Sequence, residues 1–149
     1  MATAQIYNNA LLEMVKGNIS FPTTVPPAVP PYKVMLIAGS PTYTFQKSQV
    51  YLSNAKAAGA TEVSGTGYTA GGAAVPSINT QISADAITVD IGDVIWASST
   101  ITARGAILYK PTGNDATSTV IAYIDFGTNV SSNNSAFTID FQTPLKLQN

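Results

Sequence analysis

The stretch Ile87 to Lys110, ITVDIGDVIWASSTITARGAILYK, constrains the fold of this chain more than any other. Ile87, Val89 and Ile91 alternate with Thr88 and Asp90, the two-residue period of a strand with one wet face. Gly92 and Asp93 interrupt that run and Val94 to Trp96 resume it. Beyond Ser98, Ser99 and Thr100, a further run, Ile101 to Tyr109, holds the only arginine, Arg104. Three strand-like runs separated only by turn residues predict antiparallel β structure.

The remainder of the chain fits the same class. Ala4 to Lys16 is rich in helix formers, with Thr3 as the predicted N-cap and Gly17 as the terminator. Tyr7, Leu11, Met14 and Val15 form its apolar stripe. Phe21 to Pro31, FPTTVPPAVPP, contains five of the nine prolines and reads as an extended, semi-rigid strap. Tyr32 to Ala38 is a buried strand, and Ser48 to Ala58 is open between a short helix and a loop. Lys110 to Ser118 and Gly127 to Ser135 read as polar turns on either side of a strand at Thr119 to Phe126. Phe137, Ile139 and Phe141 mark the last strong strand. The expected fold is mainly β, an antiparallel β-sandwich or jelly roll with one N-terminal α-helix and a Pro-rich strap. Residues 1–31 form the helix and arm, and residues 32–149 the sandwich domain.

Composition narrows function mainly by exclusion. With no histidine and no cysteine, the chain lacks a Ser-His-Asp triad, thiolate chemistry, disulfides and the usual zinc ligands, and no cofactor is expected. A net charge of -1 gives no basic footprint for nucleic acid. The longest apolar run, Val34 to Ala38, cannot span a bilayer, and the N-terminus has no signal-peptide pattern, so synthesis in a cytoplasm is expected. Only 10% of residues are charged, against a usual ~25%, which favours a surface of Ser, Thr and Asn or one covered by partners.

Few residues stand out as chemistry. The Gly-rich stretch Thr61 to Ala74 lacks the Lys-Ser/Thr of a phosphate loop and reads as structural. Asp90 and Asp93 flank Gly92, where a carboxylate pair can serve a turn, a cation or catalysis, the turn being the commonest use. Arg104 and Asp125 are expected to form a structural ion pair across neighbouring strands. Trp96, preceded by Val94 and Ile95, reads as core or interface.

Five blocks then occur in a telling order: YNNALLEMVKGNI, YKVMLI, VSGTGYTAGG, the Ile87 to Lys110 stretch, and VIAYIDFG. This order resembles a family of small virion structural proteins of tailed bacteriophages, over nearly the whole chain. Gly92 replaces the first aspartate of that family's Asp-Asp-Val-x-Trp motif, and the Pro-rich strap and the ending TPLKLQN also depart from the family pattern. The resemblance implies a non-enzymatic virion protein on the outer surface of the capsid. It would act as a decoration (cement) protein that bridges major capsid protein subunits and associates with itself, as a homotrimer. Under this reading the anchoring residues are Tyr7, Leu11, Met14, Val15, Phe21, Val25 and Val29. The alternative is a receptor- or glycan-binding module of a tail or head fibre, using the polar loops.

Overall fold

The computed structural model describes residues 3–21, 31–83, 86–141 and 145–148, and the chain is mainly β. In order, its elements are β1 (Thr3–Ile6), α1 (Asn8–Val15), β2 (Lys33–Ile37), α2 (Leu52–Ala57), β3 (Ala73–Ala74), β4 (Ile78–Ser83), β5 (Ala86–Ile91), β6 (Val94–Lys110), β7 (Thr119–Ile139) and β8 (Leu145–Gln148). They make two antiparallel sheets, a five-stranded one in the order β1-β7-β6-β2-β3 and a three-stranded one in the order β4-β5-β8.

The β6–β7 hairpin organises both sheets. Its ladder runs from Val94 opposite Ile139 to Lys110 opposite Thr119, with bulges around Ser99 and Gly105. The two runs either side of Ser98 to Thr100 are therefore one long strand, because bulges absorb the break in alternation without ending the pairing. β2 flanks β6 and β1 flanks β7. Val34, Leu36, Leu108, Val120, Ile121 and Ala122 are all fully buried here, as expected for strands covered on both faces. β5 and β8 adjoin β6 and β7 in sequence and pair with each other, so the three-stranded sheet continues from the open end of the hairpin. Gly92 and Asp93 form the joint, with the Gly92 N–H bonded to the Ser77 carbonyl at 2.9 Å and the Asp93 carboxylate accepting from the Phe141 N–H at 3.2 Å.

Lys110 to Ser118 is a turn, closed by Asn114, whose backbone carbonyl accepts from the Ser118 N–H and Oγ and whose side chain accepts from the Ala116 N–H. Three expectations need correction. Thr3 to Ile6 is a strand paired with β7, and the helix spans only Asn8–Val15, capped by Tyr7. Pairing with the long neighbouring strand outweighs the modest helix propensity at this end. Gly127 to Ser135 is no turn but part of β7. Its polar side chains bond across to β6, Ser131 to Thr102 and Ser132 to Ser99, both at 2.7 Å, and the extra residues are taken up in bulges. Finally, residues 3–21 are no separate arm, since Tyr7, Ala10 and Ile19 belong to the common core.

Candidate partner interface

α1 is fixed at both ends. The Tyr7 N–H bonds to the Ile121 carbonyl at 3.0 Å and the Asn8 N–H to the Lys47 carbonyl at 2.9 Å. At the other end Gly17 takes a left-handed φ of 78°. Its N–H reaches the Met14 carbonyl, and the Asn18 N–H reaches that of Glu13, the paired bonds that satisfy a helix C-terminus. Side chains from Asn18 at 2.7 Å and Lys16 at 3.0 Å converge on the Glu13 carboxylate, and these hydrogen bonds hold it below the usual carboxylate range. Lys110 adds a 2.6 Å bond from its Nζ to the Asn18 carbonyl.

Held in this way, the helix turns Ala10 into the core and packs Met14 against it. The opposite stripe is Asn8, Leu11, Leu12 and Val15, spaced i, i+3, i+4, i+7 on one face. Leu11 is 41%, Leu12 49% and Val15 87% exposed. Three adjoining apolar side chains thus stand in solvent on a rigid support, the signature of a contact surface.

Of the residues expected to anchor a partner, Leu11 and Val15 lie on this face and Met14 is half-buried behind it. Tyr7 does not lie on it, because it is fully buried. Its ring packs 4.8 Å from that of Phe45, and its hydroxyl lies 2.8 Å from that of Tyr43. Phe21 is half-buried with its ring 5.4 Å from Tyr32, and Val25 and Val29 fall outside the described residues. Leu12 was missed in the sequence reading because that stripe was phased from Tyr7, which is the cap. Phasing from Asn8, the true first residue, would have found it.

The other singled-out residues do structural work. Arg104 and Asp125 form an ion pair, half-exposed, and Asp125 also accepts from the Gly127 N–H at 2.8 Å. Asp90 is exposed on β5, while the Asp93 carboxylate accepts a hydrogen bond from a backbone amide. Trp96 is buried, stacked on Tyr68 at 5.9 Å and edge-on to Phe137 at 6.1 Å. Glu62 fastens the Gly-rich loop, accepting from the Tyr68 hydroxyl at 2.9 Å and from the Gly71 N–H. Burial, and secondarily the Glu62 charge, pushes the Tyr109 hydroxyl up to about 12. A groove of about 400 Å³ is lined by Glu62, by the hydroxyl side chains of Thr61, Ser64, Thr100, Thr102 and Ser132, and by Ala38, Val63 and Ile101. Among the described residues no helix is long and apolar enough to cross a membrane.

No protein-family model matches the chain, and no curated protein or solved structure is significantly similar to it.

Proposed function

We propose that this chain is a structural protein of a tailed-bacteriophage virion. In this reading it is a decoration protein on the outer surface of the head, a jelly-roll-type sandwich that bridges major capsid protein subunits without catalysing a reaction. The observation that carries the proposal is the rigid apolar stripe Leu11, Leu12 and Val15, left uncovered on a chain otherwise economical with exposed charge. A partner covering such a stripe desolvates few ions, whose burial would be costly, and covering what remains exposed contributes about 1 kcal/mol for each leucine and about 1.5 kcal/mol for Val15. The resemblance of five sequence blocks to those of small virion proteins supports a capsid subunit as that partner.

Co-sedimentation of the full chain with capsid shells that lack it tests the proposal. The wild type is expected to bind, and Leu12→Asp/Val15→Asp to bind at least about a hundredfold more weakly. Equal binding by both overturns the role of α1. The partly hydroxyl-lined groove at Glu62 favours a second reading, a glycan-binding module of a fibre. Saturable binding to a glycan array, abolished by Thr102→Trp in the groove wall, would establish that reading in place of the first.

A further inference from the structure

The two strands of the central hairpin differ in what covers their outer edges. β6 is covered in two places along its outer edge. β2 pairs with it from Gly105 to Tyr109, and the Gly-rich loop crosses it lower down, where the Thr100 N–H bonds to the Thr66 carbonyl at 2.9 Å. Gly67, at a φ of 80°, approaches the Ser98 carbonyl so closely that a Cβ would collide with it. β7 is covered at residues 122–125 by β1, and at residues 119–121 by the Tyr51–Thr119 bridge and the bonds that join Val120 to Val50 and Ile121 to Tyr7. Among the described residues no strand pairs with its outer edge from Phe126 to Ile139.

We propose that this edge, over Ser135 to Ile139, pairs antiparallel with the same edge of a second copy of the chain about a two-fold axis. The irregular part of β7 includes Asn134, with a φ of 46°, and a last register shift after Ser135, beyond which Phe137 to Ile139 face Val94 to Trp96 in regular register. Phe137 and Ile139 point into the core, while Ala136 and Thr138 are exposed. An edge strand offers alternating backbone donors and acceptors that only another extended segment can satisfy in sequence.

Charge identifies that segment as a copy of itself. Phe126 to Ile139 contains no charged residue and no proline, the devices that normally keep edges apart. In a two-fold pairing each side chain meets its own kind or a near neighbour, so a single lysine or aspartate would repel its image; here there is none. Centred on Phe137, the pairing sets Ala136 opposite the partner's Thr138 and Asp140 opposite the partner's Asn134, keeping the one nearby carboxylate away from its copy. Ile95, 56% exposed and directly across from Thr138, extends the uncharged patch beside the join. The contact is two-fold, unlike the three-fold association implied by the family resemblance, and it does not depend on the capsid reading.

Sedimentation velocity of the free full-length chain tests it. The wild type is expected to sediment at an even multiple of the 15.5 kDa chain mass, and Ala136→Lys/Thr138→Lys at half the wild-type mass with an unchanged circular dichroism spectrum. A monomeric or odd-numbered wild type, or an unchanged mass in a folded double-lysine variant, overturns the proposal. Loss of association in Leu12→Asp/Val15→Asp alone does so too, because the copies would then meet through α1. Should the lysine variant not fold, Ala136→Cys/Thr138→Cys decides. In a chain without native cysteine, mild oxidation is expected to yield a covalent dimer, and a product that stays monomeric refutes the pairing.

Discussion

Tyr43 joins Tyr7 and Gln49 in a buried polar cluster. The one hydroxyl proton of Tyr43 goes to the Gln49 side-chain oxygen, so the 2.8 Å contact with Tyr7 must be donated by Tyr7. Burial raises the pKa of both hydroxyls, and both therefore act as neutral links. Tyr43→Phe strands a donor and an acceptor and is expected to cost about 2–3 kcal/mol, whereas Tyr7→Phe leaves the bond to Gln49 intact and costs about 1 kcal/mol. Urea denaturation of the two variants checks the order, and an equal loss in both would contradict this assignment of donors. Residue-scale features of this kind are hard to see in a sequence. The apolar character of Tyr7 was legible, but its burial was not, because a tyrosine at a helix start serves a core or an interface equally well. Arg104 and Asp125, by contrast, had only neighbouring strands to choose from.

At the scale of elements, the legible features were those with unbroken period. β2, β5 and the turn at Lys110 to Ser118 lie where alternation and turn residues put them. The failures share one cause. Single-chain patterns describe a segment's own preference, while β1 and the second half of β7 are fixed by what they pair with. Ala4 and Gln5 favour a helix until β7 offers a ladder, and the Ser, Thr and Asn residues of Gly127 to Ser135 favour a turn until β6 offers hydroxyl partners at Ser99 and Thr102. The candidate interface was half legible for the same reason. The apolar stripe of α1 was visible, but its phase depended on where β1 gave way to the helix. Because β1 and Tyr7 are built into the sheet, deleting residues 1–31 would damage the core, and point substitutions on the outer face of α1 are the cleaner probe.

At the scale of the whole molecule, six buried or half-buried tyrosines, Tyr7, Tyr32, Tyr43, Tyr68, Tyr109 and Tyr123, have hydroxyl pKa values raised chiefly by desolvation, Tyr109 and Tyr123 to about 12. Above the ordinary tyrosine pKa of about 10 the unfolded chain releases protons that the folded chain retains, so stability falls as pH rises. The contribution is complete below about pH 10 and is lost above it, at up to about 1.4 kcal/mol per pH unit for each tyrosine. A urea midpoint that is level between about pH 7 and 9 and drops steeply from about pH 10 is expected, and a midpoint level through about pH 11 would contradict the burial of these hydroxyls.

The proposed role of this sheet-built, sparsely charged chain is to coat a phage head through an exposed helix face. Immunogold labelling of purified virions with antibody against the chain tests it most directly. Gold distributed over the head in many copies is the result expected of a decoration protein; gold confined to the tail or to a single vertex would contradict it.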